Sequence, residues 1–277
     1  MTQVPRGANK AAQTADPSAP VLVTHAGSVT TLALNRPAQL NAIDQEMALL
    51  LIRSVDQVAE DQDCRCLVIT GVGRAFCAGQ SLGSGDDIEP LPNDIAGLIE
   101  ERYTPLVMGL QSLAVPVVAA VNGLAAGAGL SLALAADIRI CSDTAWFSCA
   151  FAQIGLVPDS GATYFLPRIL GLGRALHYAL TGERITATEA LAMGLVSRVT
   201  SNSAFAAEAS EFARQLARGA TRALAMTKQA IYHSQEHDLS AQLQEEARLQ
   251  QDASETVDFV EGLAAFREKR LSVFTGR

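Results

Sequence analysis

Runs of basic residues are missing from this chain. Its 277 residues carry 21 Lys and Arg against 29 Asp and Glu, a formal net charge of −8. Without clustered cations a phosphate backbone finds no footing, so nucleic acid is not expected as a partner. Aromatic residues make up only 5 % of the chain, so Ala, Leu, Val and Gly must fill the interior. That favours closely packed helices and strands over a loose sandwich. No two of Cys64, Cys66, Cys77, Cys141 and Cys149 have the Cys-x-x-Cys spacing of a zinc or redox site. Odd in number and apolar in surroundings, they read as reduced thiols of a cytoplasmic protein, and no metal is expected. The opening residues MTQVPRGANKAAQTADPSAP lack the apolar centre of a secretory signal. Residues 1–19 are expected to form a disordered tail.

One stretch, Ser112 to Ala136, has no charge at all and is long enough to span a bilayer. Pro116 and Asn122-Gly123 interrupt it, and no Lys or Arg cluster flanks it, so it reads as a buried strand, a turn and a buried helix rather than a membrane segment.

What is present is a regular alternation. VLVTHA, Gly27-Ser28 and VTTLALN read as a β-hairpin. From Asp44 to about Glu60, Met47, Leu50, Leu51, Val55 and Val58 recur at helical spacing, and CLVITG (66–71) is a continuous apolar strand. A Gly-rich loop with Asp86, Asp87 and Glu89 precedes a helix over 97–113; PVVAAV and IRICS read as strands around the helix of NGLAAGAGLSLALAADI. Strands alternating with helices predict an α/β fold with a largely parallel sheet. Beyond Asp159 the chain reads as helix: near 161–170, near 172–181, in ATEALAMG, then about 204–233 and 238–250. The expected organisation is a core over 20–203 and a helical region over 204–277.

Three motifs tempt and fail on context. Gly79-Gln80-Ser81-Leu82-Gly83 fits the Gly-x-Ser-x-Gly nucleophile elbow, which needs a strand directly before it and a helix after it; CLVITG ends several residues upstream and SGDDIEPLP follows. His233-Ser234-Gln235-Glu236-His237 fits His-x-x-Glu-His, but its polar neighbours look like a solvated helix end and no third ligand presents itself. Gly71-Val72-Gly73 follows a strand, yet Phe76 stands at the third glycine position of a dinucleotide fingerprint.

Two small-residue stretches are harder to dismiss as packing. In GVGRAFCAGQSL (71–82), Ala78-Gly79 leaves the backbone approachable; in VNGLAAGAGLSLALAADI (121–138), Ala125 to Gly129 are all Ala or Gly where a helix starts. Together they supply two backbone N–H donors for one developing oxyanion.

These two stretches, with LNRPAQLNAI before them and FVEGLAAFREKRLSVFTGR at the end, resemble the crotonase family, the enoyl-CoA hydratase and isomerase superfamily, from about residue 20 onward. The resemblance implies a crotonase-like spiral of ββα turns with a C-terminal helical region that assembles trimers or hexamers. It also implies an acyl-CoA thioester as substrate, coenzyme A entering as part of that substrate and no permanently bound cofactor. The thioester oxygen would lie on the N–H groups of Gln80 and Ala128, with Gly127 beside them and Phe151 at the acyl group. The CoA would run along Asn41-Ala42 and Ala78, Gly79, Ser81, Leu82 and Gly83, with Phe266 and Lys269 near the nucleotide. Each fixed donor stabilises a thioester enolate by roughly 3 kcal/mol.

A base remains to be found. Family hydratases use two glutamates, and the matching positions hold Ser131 and Phe151. The remaining carboxylate lies in IGLVPDSGAT (154–163), where Asp159 after Pro158 has two readings: a cap for the helix that follows, or a lone acid with a raised pKa that shuttles protons. This run resembles members that isomerise, including the ring-epoxide isomerase of phenylacetate breakdown and Δ3,Δ2-enoyl-CoA isomerases, where one Asp or Glu is the base. A 1,3-proton shift needs one such group. A hydratase of low activity, a non-catalytic acyl-CoA binder and a nucleophilic Asp159 stay open as alternatives. Ser81, where the family usually has Asp, and Gln80, bulkier than the common Ala, are departures that bear on the acyl pocket and the loop.

Overall fold

The computed structural model describes residues 16–82 and 94–277. The hairpin forms as expected: Val21–Ala26 (β1) pairs antiparallel with Val29–Leu34 (β2). Helix Gln45–Glu60 (α1) starts where the Asp44 carboxylate accepts from the Met47 N–H, and its Met47, Leu51, Val55 and Val58 face the core.

From there the chain winds through two sheets. Cys66–Gly71 (β3), Val117–Val121 (β5), Ile138–Ser142 (β7) and Arg198–Thr200 (β10) extend the hairpin in the order β1-β2-β3-β5-β7-β10, parallel throughout beyond β2. A second sheet takes three-residue strands, Ala75–Cys77 (β4), Leu124–Ala126 (β6), Trp146–Ser148 (β8) and Arg184–Thr186 (β9), in the order β4-β6-β8-β9. Each circuit therefore lays one strand in each sheet and returns through a helix. After β4 come Ile95–Leu98 (α2), a π-helical turn Ile99–Tyr103 and Thr104–Ser112 (α3); after β6, Ala128–Ala135 (α4); after β8, Ala162–Leu170 (α5). The predicted spiral of ββα turns is the observed architecture. The uncharged run 112–136 resolves into β5, β6 and α4, and no helix among the described residues is long and apolar enough to cross a membrane.

Leu172–Thr181 (α6) and Ala187–Ala192 (α7) lead on to Phe205–Ala217 (α8), Thr221–His233 (α9), Leu239–Ser254 (α10) and Val257–Glu268 (α11). The single helix expected over 204–233 is two. The Arg65 guanidinium, just before β3, accounts for the break: it donates to Gly219 O at 2.6 Å, which it draws out of the helical ladder, to the Thr221 hydroxyl at 2.8 Å and to Phe274 O of the last residues at 3.0 Å. The buried Asp258 carboxylate accepts from the N–H groups of Thr275 and Gly276 and folds the last residues back along α11. Of the tail expected over 1–19, residues 1–15 lie outside the described residues. Residues 16–19 form an ordered turn, a correction explained by the Asn35 side chain donating to the carbonyls of Pro17 and Ala19.

All five cysteines are buried and unpaired. Burial pushes Cys66, Cys77 and Cys141 up to about 12 and Cys149 to about 11, so these thiols stay protonated and unreactive near neutral pH.

Every residue of α4 is buried. It reaches that depth because Gly129 lies against β4: a Cβ there would stand 2.3 Å from Cys77 O and 2.7 Å from Cys77 Cβ. Gly129→Ala is expected to lower stability by about 1–3 kcal/mol, read as a shifted urea midpoint at unchanged slope. An unchanged midpoint would show that α4 has room to move.

Candidate active site

Two loops meet where the strands of the spiral end. In the first, a parallel bridge joins Ile43 to Gln80: the Ile43 N–H donates to Gly79 O at 2.7 Å and the Ser81 N–H to Ile43 O at 2.8 Å. In a trans peptide the C=O and N–H point opposite ways. Because the Gly79 carbonyl faces Ile43, the Gln80 N–H faces away from it, and it has no acceptor among the described residues. In the second loop, the Gly127 carbonyl accepts from the Ser131 N–H along α4, so the Ala128 N–H points back out of the helix start, also without an acceptor there. Gly79 (φ +104°) and Gly127 (φ +52°) adopt conformations that favour glycine. They also permit the approach: a Cβ on Gly79 would lie 3.3 Å from Ala128 N. The first loop thus runs against Ala128 at Gly79, and the Ala128 N–H stands at the start of α4, the positive end of its peptide dipoles.

The remaining loop residues divide into scaffold and surface. Asn41 was expected to touch the CoA, and the structure corrects this. It is fully buried with φ +58°; its side chain donates to Val72 O and Ala75 O and accepts from the Arg36 N–H, leaving nothing to offer a ligand. Ala42 is half-buried and its carbonyl accepts from the Arg36 guanidinium at 2.7 Å. Ala78 and Ser81 are half-buried and Leu82 is exposed, a strip of accessible backbone beside the donors. Ala78 spends its N–H on Leu40 O. Gly83, like Asp86, Asp87 and Glu89, lies outside the described residues.

Asp159 does not cap α5. The helix starts at Gly161 with no side-chain cap, and the contact from Asp159 to the helix is its backbone carbonyl, which accepts from the Ala162 N–H. The carboxylate instead accepts from Ser160 Oγ at 2.8 Å. Ser160 is buried with φ +52°, a conformation that costs a serine energy and holds the turn tight. Burial raises the Asp159 pKa, against the opposing pull of the Ser160 hydroxyl. Ser131, in place of a glutamate, donates from Oγ to Asp159 O at 3.0 Å and so ties the Asp159 turn to α4, one helical turn from Ala128. Phe151 is buried in the core beside this turn in sequence.

A cavity of about 1080 Å3 opens at Asp159. Ile99, Val107, Met108, Phe165 and Met226 give it apolar walls, and Gln111, Lys228, Tyr232, His233 and His237 line its α9 side. Helix α9 is held there by the Asp137 carboxylate, which takes Lys228 Nζ at 3.1 Å and the Tyr232 hydroxyl at 2.6 Å. Gln80 and Ala128 are not among its walls. Ile99 lines the cavity from the π-helical turn that Tyr103 closes, and buried Tyr103, which the sequence did not single out, donates from its hydroxyl to Gln80 Oε1 at 2.6 Å.

The tempting motifs take other places. A strand, β4, does precede Gly79, too short to be seen in the sequence. His233 ends α9 and His237 lies beyond it; their rings stack 3.7 Å apart within 1° of parallel, with each Nδ1 engaged, by Gln242 and by the His233 carbonyl. Parallel rings do not converge on a common ion. Phe266 near the end of α11 is 83 % exposed and Lys269 just beyond the helix is exposed too, while α11 itself is anchored beside Arg65 at the start of β3.

Comparison with known proteins agrees with this geometry. The family model described as enoyl-CoA hydratase/isomerase matches residues 24–277. The 1,2-epoxyphenylacetyl-CoA isomerase of Escherichia coli is 43 % identical over 251 residues, covering 90 % of this chain and 95 % of that one. The 2,3-dehydroadipyl-CoA hydratase of the same organism is 36 % identical, with 93 % and 99 % covered. The crystal structure of an enoyl-CoA hydratase from Bacillus anthracis superposes with a TM-score of 0.88 at 32 % identity, covering 93 % of this chain and all of that one. A family model that spans residues 24–277 and a relative 43 % identical over 90 % of the chain establish that the chain is an enzyme of the enoyl-CoA hydratase/isomerase family.

Proposed function

We propose that the protein is an enoyl-CoA isomerase, acting by a double-bond shift or by ring-epoxide isomerisation, with Asp159 as the single base. The observation that carries this reading is the placing of carboxyl groups. Where family hydratases have two glutamates this chain has Ser131, bonded to the Asp159 backbone, and buried Phe151. Water addition needs a carboxylate at those positions to hold and deprotonate water; a proton shift needs one group that takes a proton and returns it. Asp159 removes the proton from the α-carbon of a 3-enoyl thioester, and the electron pair moves onto the carbonyl oxygen held by the N–H groups of Gln80 and Ala128. The dienolate then takes the same proton back at the γ-carbon. The apolar cavity keeps the carboxylate basic enough and bulk water scarce. The family resemblance adds assembly into a trimer or hexamer. The exposed Val257, Val260, Leu263 and Phe266 of α11 supply an apolar face for it, and Phe266 and Lys269 would then serve a neighbouring copy's nucleotide.

The decisive assay mixes the protein with a straight-chain 3-enoyl-CoA and follows the conjugated product, with hydration of a 2-enoyl-CoA as control. Wild type is expected to isomerise, and Asp159→Asn to lose a factor of about 100 or more in kcat while staying folded. Equal rates in the two proteins, or hydration outrunning isomerisation, would sink the assignment.

The raised pKa of Asp159 has two consequences of opposite sign. A base must be ionised, so kcat/KM rises with pH through an apparent pKa above the ordinary aspartate value of about 3.9, and the Asn variant lacks that limb. The fold, by contrast, prefers the neutral carboxyl. Any stability it contributes is present at low pH and is lost as pH rises through the raised pKa. Near neutrality Asp159→Asn is therefore expected to melt at or above wild type, the gap closing as the solution is acidified. A variant that melts lower at pH 7 and equal at pH 9 would contradict this.

A further inference from the structure

Gln80 offers the substrate only its backbone N–H, yet its side chain is tightly engaged. Gln80 Nε2 donates to Ser81 O at 3.1 Å, and Gln80 Oε1 accepts the Tyr103 hydroxyl at 2.6 Å. A family Ala at this position would make neither bond. Tyr103 is 3 % exposed, closes the π-helical turn Ile99–Tyr103, and lies within electrostatic range of the Asp159 and Asp44 carboxyl groups and of Arg102. Burial holds its phenol above the ordinary tyrosine range, so it stays a neutral donor at working pH. A π-turn widens a helix by one residue, and such turns concentrate at functional sites. Here it delivers a phenol hydroxyl to the loop that carries the first oxyanion donor.

That loop needs holding. Among the described residues its other hydrogen bonds are the backbone bridge to Ile43, the Ala78 N–H to Leu40 O and the contacts of Gly79 with Cys77 Sγ. Ser81 cannot anchor the loop through a carboxylate. We propose that Tyr103 and Gln80 form a positioning pair: the hydroxyl-to-amide-to-carbonyl chain from Tyr103 through Gln80 to Ser81 braces the oxyanion loop, and holds the Gln80 N–H in register with the carboxyl group at Asp159. The proposal rests on the thioester oxygen being held at Gln80 and Ala128, and only its kinetic arm rests on Asp159 as base. It makes Tyr103 a residue that acts on the transition state without touching the reacting atoms.

Tyr103→Phe, Gln80→Met and the double variant test it by two readouts. In the isomerase assay each single change is expected to lower kcat about tenfold, the size of one net hydrogen bond, with KM changed less than about twofold. The double variant should be no slower than the worse single, because one chain is broken once. The second readout needs no turnover: the red shift in absorbance of a conjugated 2-enoyl-CoA bound to the protein reports how strongly its carbonyl is polarised, and should shrink in all three variants and persist in Asp159→Asn. Wild-type kcat and an undiminished shift in Tyr103→Phe would overturn the brace, as would losses that multiply in the double variant or the absence of any shift in wild type. If wild type shifts the ligand, Tyr103→Phe does not, and no isomerisation is seen, the brace stands and the isomerase reading falls.

Discussion

The structure depends on how closely two chain segments approach each other. A carbonyl oxygen can meet two backbone N–H groups at once only if the donors lie within a few ångströms, and any side chain between them would hold them apart. Gly79, Gly127 and Gly129 remove those side chains: one lets the first loop run against Ala128, one turns the chain into α4, and one lets α4 press onto β4. The loss of side-chain packing at three glycines is offset by the all-buried helix behind them. The second sheet follows from the same constraint. Its strands are three residues long, and β4 and β6 run parallel so that the loop after each lies beside the other.

The electrostatics of Asp159 follow from its partial burial. A carboxylate beside apolar walls is costly to ionise, and the hydroxyl of Ser160 softens that cost without removing it. In the function proposed above, that burial makes the acid readier to hold a proton, and two fixed peptide dipoles would make the enolate easier to form. Ser131 shows how little separates this arrangement from the family's hydratase pattern: its hydroxyl reaches the backbone of the Asp159 turn, so the position serves to place an acid instead of being one.

Much of this was legible in the sequence, for identifiable reasons. The hairpin, α1, β3, β5, β7 and α4 carry periods or continuous apolar runs long enough to read. The close approach of the two loops was legible because Ala and Gly at a helix start have few other uses. The second sheet was not, since AFC, LAA, WFS and RIT have no period to detect. The break between α8 and α9 escaped because its cause, Arg65, lies more than 150 residues earlier. Asn41 was placed correctly in space and wrongly in role: a side chain that binds a ligand and one that ties three loop strands together look alike in a sequence. Tyr103 was missed because one tyrosine in ERYTP carries no pattern, and its meaning comes from a hydroxyl that meets Gln80 only in the folded chain.

Arg65 also bears on the order in which the molecule is made. Its guanidinium sits at the entrance to a central strand, yet the carbonyls it serves belong to residues 154 and 209 positions further on. As the chain leaves the ribosome, the spiral can close around its glycines while that cation still waits, hydrated, for partners not yet synthesised. Docking of the C-terminal helices is then a late, long-range event that must displace water from a charged group. A nascent chain would pass through a stage in which the loops at Gly79 and Gly127 have already met but α9, which walls the cavity beside Asp159, has not arrived.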